Sequence, residues 1–512
     1  MKKISDIEIS YTKFIISYVS LVYFINNIIN YDKFTKWFIS KGVFDYSGFI
    51  AFIFIGLFLS IALISIFSHK YTTKPFAIFI IIASTFSTYV ISKFDVAIDR
   101  SMIMNIIHTN STESLTLFSL NMIPYILFLA IIPSLIIIKI KIVYDKPIKH
   151  IFKFLGLFVF TVILALGLTY LKFNSIHIAG NKSKKYIAYQ LVPTNFIIAI
   201  GSTIKHYIKD NYISPAIPKK IVATLNKKDN LVVVLAIGES SRQLNYNLYG
   251  YKNNNTNPLL KKQKDLYILN GIAKYGSTIW ALPRILSRDD IKLSSITNHV
   301  GIDSKCFVNF QLYGNCGTVK EIEVKDCGHG GKCYDEDVIT LLKSDLSKYN
   351  DGQKFIVLHV GAGSHGPLYN TRYPKEFQKF NPQCRSADVI NNCTKDELFN
   401  SYDNTILYTD YVVSNLIDTL ESSKVPYVFI YLSDHGESLL ENGRVFHGMP
   451  PGVDLPYEQA HIPLLVKSSV PIKVLKKKEY KQQDVYDTIL DLFNIKIDLL
   501  KMEKVFIKKV DK

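Results

Sequence analysis

The chain has 512 residues, 48% of them hydrophobic, and a formal net charge of +17. A mean hydropathy of +0.15 excludes an ordinary soluble globular protein, and the length leaves room for more than one domain. The positive charge suits anionic headgroups at a membrane surface, or simply reflects solvated lysines. Arginines are not interleaved with aromatic residues, which argues against a nucleic-acid partner.

The apolar weight lies before about residue 175. Five runs approach bilayer-spanning length: residues 14–30, 48–67, 76–91, 121–138 and 154–171, none with a charge in its interior. They predict a transmembrane domain of about five helices over residues 1–172. No small-residue cleavage site follows the first run, which therefore reads as an anchor rather than a removable signal. Lys2, Lys3, Lys13, Lys70, Lys74, Lys139, Lys141, Lys146, Lys149 and Lys153 fall in three regions that the positive-inside rule makes cytoplasmic. An odd number of spans then places everything after Lys172 outside.

Between the third and fourth runs, Asn105, Thr109 and Glu113 recur every fourth residue. On a helix they share one face. That face is either a polar-headgroup site or the wet side of an interfacial helix. Residues 173–229 mix polar and apolar positions around Pro193, Pro215 and Pro218, and predict an amphipathic bridge lying along the membrane.

From 230 to 512 the pattern is α/β. A β-type run from Leu231 ends at Gly238 and is followed by Glu239. A second ends in Gly363-Ser364-His365. A third, Tyr427 to Leu432, is followed by Ser433, Asp434 and His435. Open α/β sheets place their sites at the carboxyl ends of strands. Each group alone is ordinary, a helix cap or a turn residue, but three together at strand ends predict a metal site. Carboxylate and imidazole donors suit zinc, and by donor type also manganese. His447 follows at a distance that can return it to the same site. Ser277 and Thr278 follow Gly276, and a hydroxyl beside such a metal is a candidate nucleophile.

All six cysteines lie in the second half, in close pairs: Cys306/Cys316, Cys327/Cys333 and Cys384/Cys393. Outside the cytosol this predicts disulfides. Connectivity stays open, with nearest-neighbour pairing the expectation.

Together these segments resemble the phosphoethanolamine transferases of Gram-negative bacteria. That family includes the mobile colistin-resistance enzymes and belongs to the alkaline phosphatase/sulfatase superfamily. The resemblance rests on the five-span anchor, on Asp99, Met102, Asn105, Thr109 and Glu113, on Gly238-Glu239-Ser240, and on Thr278 with Pro283. It continues through the C-Y-D-E segment at Cys333, G-S-H-G-P at Gly363, YDNTILYTDY at Tyr402, SDHGESL at Ser433 and His447-Gly448. It implies an N-terminal multi-span α-helical membrane domain and a periplasmic α/β domain of alkaline phosphatase/sulfatase type, anchored in the inner membrane.

The resemblance also implies roles. Thr278 is the nucleophile that carries phosphoethanolamine. Glu239, Asp434, His435 and the Thr278 oxygen are zinc ligands. His365 and His447 bind the transferred phosphate or a second zinc. Asn105, Thr109 and Glu113 meet the donor headgroup. The donor is phosphatidylethanolamine, and the acceptor lipid A or another surface glycan. Alternatives are a phosphoglycerol transferase, a sulfatase-like hydrolase, or a membrane sensor or assembly factor without catalysis. Two departures stand out. Tyr275 and Arg284 stand near the places where well-known members carry a cysteine pair around the nucleophile. The region between Asp289 and Cys327 is shorter than usual.

Overall fold

The computed structural model describes residues 8–510 apart from 41–42, 95, 109–119, 184–185, 209–221, 227–228, 310–311, 326, 328–332, 362, 450 and 499–503. Thr109 and Glu113 lie outside the described residues. The chain forms two compact units, Met1–Lys205 with Pro450–Val453, and His206–Met449 with Asp454–Lys512.

Among the described residues of the first unit, four helices are long and apolar enough to cross a membrane: Tyr46–Ile66, Thr73–Phe94, Leu120–Lys139 and Pro147–Leu171. The first predicted run behaves differently. It forms a helix of 17 residues, Tyr11–Asn27, followed by a 3-10 turn and a second helix, Tyr31–Trp37. At 1.5 Å per residue the first helix is about 26 Å long, at the short end of the spanning range, and helical turns continue to Trp37. Its Tyr18 hydroxyl donates to Ala77 O at 2.8 Å and its Tyr23 hydroxyl to Ile53 O at 2.9 Å, which ties it to two of the long helices.

The expected boundary at residue 172 is not where the structure divides. Helices Phe173–Ser183 and Thr194–Ile208 send Ala179 and Phe196 into the core of the first unit, with Leu191 and Val192 between them. One side of the predicted amphipathic segment thus packs on protein, while Phe173, Ile178, Ile198, Ile204, Tyr207 and Ile208 stay exposed. Asn27, fully buried, fixes this arrangement. Its side-chain amide donates to Val192 O at 2.5 Å and accepts from Val192 N at 3.1 Å.

The second unit is built on an eight-stranded sheet. In chain order its strands are β1 (Leu231–Gly238), β2 (Tyr267–Ile272), β3 (Asp303–Val308), β4 (Glu321–Glu323), β5 (Gln353–Val360), β6 (Tyr427–Ser433), β7 (His461–Ser468) and β8 (Tyr480–Lys481). They lie in the order β4-β3-β5-β1-β6-β7-β2-β8. The first five in that order run parallel, and β7 is antiparallel to both its neighbours. Central parallel strands are covered on both faces, so they read as unbroken apolar runs. Successive residues enter opposite cores. Val233, Leu235 and Ile237 join one, with helix Asp484–Leu492. Val232, Val234 and Ala236 join the other, with helix Lys395–Ser423.

Register sets up the site. Gly238 at the end of β1 pairs with Val360 at the end of β5 and with Ser433 at the end of β6. Three strand ends therefore reach the same edge together. The structure pairs Cys306 with Cys316, Cys327 with Cys333 and Cys384 with Cys393.

Replacing Asn27 by alanine removes both bonds to Val192 and leaves that peptide unit buried without partners. A loss of about 1–3 kcal/mol per unsatisfied group is expected. The measurement is Tm of the full chain in detergent, and an unchanged Tm would show that the amide does not secure the segment.

Candidate functional site

Glu239 follows β1 directly, and Asp434 and His435 follow β6; all three are buried. The chain turns sharply at Ser240, which adopts φ of +55°, a conformation costly for a residue with a side chain. The turn is held from both sides. Ser240 N donates to Asp434 Oδ1 at 3.0 Å, and Ser240 Oγ donates to Glu239 Oε1 at 2.8 Å. The Tyr402 hydroxyl, from the long helix, donates to Ser240 O at 2.8 Å. Beyond β5, Ser364 N donates to Glu239 O at 2.9 Å. Gly363 sits so close that a Cβ there would lie 2.6 Å from Glu239 O.

Thr278 opens the helix Thr278–Leu286. Its hydroxyl donates to Glu239 Oε2 at 2.9 Å and lies 3.4 Å from His435 Nε2. His435 Nδ1 is 3.0 Å from Gly436 O, which fixes the proton on Nδ1 and leaves Nε2 as a bare acceptor. That nitrogen lies 3.5 Å from Glu239 Oε1 and 3.3 Å from Asp434 Oδ2. Asp434 Oδ2 is buried with no hydrogen-bond partner.

This set fits a divalent cation. Two carboxylates, a bare imidazole nitrogen and a hydroxyl converge where a buried carboxylate oxygen would otherwise stay unsatisfied. Glu239, His435 and His447 each offer a ligand atom within 4.8 Å of the others. Burial pushes the Glu239 carboxyl up to about 7, with the Asp434 charge adding to it. Burial likewise raises Asp434 to about 7 and lowers His435 to about 4. A positive charge at the centre would relieve the carboxylates of that penalty.

The remaining imidazoles stand alongside. The His447 ring centroid is 4.3 Å from that of His435 and 4.8 Å from that of His365. Both have pKa values lowered, by burial first. Neutral at pH 7, they can accept a proton or bond a phosphoryl group. Arg372 Nε donates to His365 O at 3.0 Å.

Sequence reasoning did not assign Glu437, yet it is central. It is buried, its Oε2 lies 2.7 Å from His447 Nδ1, and its Oε1 accepts from the Tyr369 hydroxyl at 2.9 Å. Burial lifts its pKa to about 8. Its place in SDHGESL, two positions after His435, was the available signal. Where relatives were expected to carry a cysteine pair, Arg284 donates to the Tyr275 hydroxyl at 3.3 Å and lies 5.6 Å over its ring. Asn105 lies in the first unit, exposed on helix Arg100–His108. The six cysteines take no part in the metal set.

With this geometry in view, the comparisons with known proteins agree. The sequence profile for phosphoethanolamine transferase EptA/EptB matches residues 56–208, and that for sulfatase matches 303–495. The chain is 30% identical to phosphoethanolamine transferase EptA of Escherichia coli strain K12, covering 87% of this chain and 86% of that one. It is 30% identical to the enzyme of the same name from Helicobacter pylori, covering 85% and 84%. Among solved structures, the integral membrane lipooligosaccharide phosphoethanolamine transferase A from Neisseria meningitidis aligns with a TM-score of 0.78 at 27% identity, covering 96% of each chain. Identity of 30% over most of both chains, with the matching N-terminal profile, identifies this protein as a member of the phosphoethanolamine transferase family.

Proposed function

We propose that the chain transfers phosphoethanolamine from phosphatidylethanolamine to lipid A, or to another phosphorylated cell-surface acceptor, through a covalent intermediate on Thr278. One observation carries the assignment: the Thr278 hydroxyl sits at a helix start, 2.9 Å from Glu239, inside a buried donor set and beside a row of imidazoles. The names of the relatives support the group transferred.

Glu239, Asp434, His435 and Thr278 Oγ1 would hold one zinc ion. When bound, it supplies positive charge that acidifies the Thr278 hydroxyl and offsets the charge of the phosphoryl oxygens. Thr278 Oγ1 forms a bond to phosphorus as the bond to diacylglycerol breaks. Helix Thr278–Leu286 holds that oxygen in place, and His365 and His447 bond the phosphoryl oxygens or contribute to a second ion. Glu437 holds the His447 ring in one tautomer. A phosphate oxygen of the acceptor then displaces Thr278 from phosphorus. Dividing the transfer in two lets donor and acceptor use the site in turn. Asn105, Thr109 and Glu113 are proposed to meet the donor headgroup. The lysine distribution, the four long apolar helices and the paired cysteines favour a multi-pass inner-membrane protein with its second unit in the periplasm.

Incubation with phosphatidylethanolamine should add one phosphoethanolamine unit to the intact mass of the full chain, and Thr278→Ala should show none. An adduct that survives in the variant would remove Thr278 from the nucleophile's role.

Metal content separates the binding set from its support. Asp434→Asn should strip the ion, measured by elemental analysis. Glu437→Gln should keep it while slowing adduct formation about 10–100-fold, the usual effect of losing a partner that orients a ligand. Equal metal loss in both variants would place Glu437 in the binding set instead.

An added ethanolamine ammonium lowers the negative charge of its acceptor. Expression in a Gram-negative host should therefore raise the mass of lipid A by one phosphoethanolamine and reduce polymyxin sensitivity. Unaltered lipid A with an intact Thr278 adduct would direct the search to another acceptor.

A further inference from the structure

The first unit contains an apolar cavity of about 630 Å³. Helices Tyr46–Ile66 and Pro147–Leu171 form two of its walls, and the segments after Lys172 close it. Small residues, Ala62, Ala179, Gly180 and Ala188, stand in its lining and leave it room. A Cβ built on Gly180 would meet nothing within 4 Å. Thr194 brings the one hydroxyl to the lining, and that hydroxyl already donates to Leu191 O at 3.0 Å. Water has no partners there, so a filled cavity must hold something apolar.

Its shape and depth narrow the choice. Lining residues run from Phe52 to Ile66 along one helix, a rise of about 21 Å. That exceeds one leaflet of a hydrocarbon core about 30 Å thick. Both walls are helices long and apolar enough to cross a membrane. The space is therefore a slot at bilayer depth, lined by apolar side chains that an acyl chain can contact.

Charge at one end narrows it further. Phe38 lines the slot, and its carbonyl accepts from Asp45 N at 2.9 Å. The Asp45 carboxylate accepts from Ser47 Oγ at 3.0 Å and Gly48 N at 2.9 Å. Ser175 also hydrogen-bonds it, and Lys172 lies close enough to act on it electrostatically. A carboxylate and an ammonium side by side complement a zwitterionic head, the carboxylate facing its ammonium and the lysine its phosphate.

We propose that this slot seats one acyl chain of phosphatidylethanolamine, with the lipid's ammonium at Asp45 and its phosphate at Lys172. Its identification with the donor rests on the transfer reaction proposed above; the seat itself does not. It is a holding seat within the membrane unit, distinct from the reacting position, and the lipid leaves it before its headgroup meets Asn105, Thr109 and Glu113 and its phosphorus meets Thr278.

The test uses the full chain with Thr278→Ala, so that bound donor is not consumed, loaded with phosphatidylethanolamine in mild detergent and weighed by native mass spectrometry. Gly180→Leu should reduce lipid occupancy about tenfold, by filling the slot. Leucine favours a helix over glycine, so the fold should persist. Asp45→Asn keeps a good helix cap and should lower retention of phosphatidylethanolamine but not of phosphatidylglycerol. As a check independent of substitution, phosphatidylethanolamine with a photoreactive acyl chain should label the segment 52–66. Undiminished binding in Gly180→Leu, labelling confined to other segments, or retention of lipid A in its place would overturn the proposal. Adduct formation is read in parallel on chains that keep Thr278, with and without Gly180→Leu; a lost seat with an intact adduct there would sink the slot alone. A filled seat with no adduct on the chain that keeps Thr278 would support the slot and sink the transfer reading.

Discussion

The site depends on the register of three parallel strands. Gly238 opposite both Val360 and Ser433 brings three chain ends to one line, so that Glu239, His365 and Asp434-His435 emerge together. A one-residue slip would turn every side chain to the opposite face and separate the carboxylates from the imidazoles. The apolar alternation of β1, shared between two cores, is what forbids that slip. Packing at the middle of the sheet thus fixes chemistry at its edge.

That arrangement has an electrostatic consequence. Burying Glu239, Asp434 and Glu437 within one pocket is unfavourable unless charge is compensated. The compensation is divided. Backbone N–H groups of Ser240 and His435 meet one oxygen of Asp434, and the Tyr369 hydroxyl meets Glu437. The other Asp434 oxygen is left over. A protein that satisfies one oxygen with two donors and leaves its neighbour bare has shaped a place for a cation.

Much of this was legible because strand ends leave a local signature. An unbroken apolar run followed at once by an acid or a histidine can be read without knowing the fold. The nucleophile was legible only through resemblance, since Ser277-Thr278 after a glycine is ordinary turn chemistry. Glu437 was not assigned, because its role depends on His447 returning from ten residues away through a short hairpin. That the first unit's packing continues past residue 172 was not legible for a similar reason. An amphipathic segment looks the same whether its apolar side faces lipid or protein, and the deciding contact, Asn27 with Val192, spans 165 positions.

Thr278, the nucleophile proposed above, is not held by the sheet register. Thr278 comes from a loop after β2, two strands away from β6 in the sheet. Its position must be secured by other means, and the structure supplies several weak ones. Gly448 N donates to Gly276 O at 2.7 Å, and a side chain at Gly276 would meet Gln459 Oε1 at 2.8 Å. Tyr275 and Arg284 close the loop from outside through a hydrogen bond and a cation–π contact. An exposed pair of that kind contributes about 0.5–1 kcal/mol, less than a covalent bridge. The loop is therefore held mainly by the packing beneath Gly276 and by Thr278's own bond to Glu239. Thr278 and Glu239 position one another, and the outer pair only limits how far they can part.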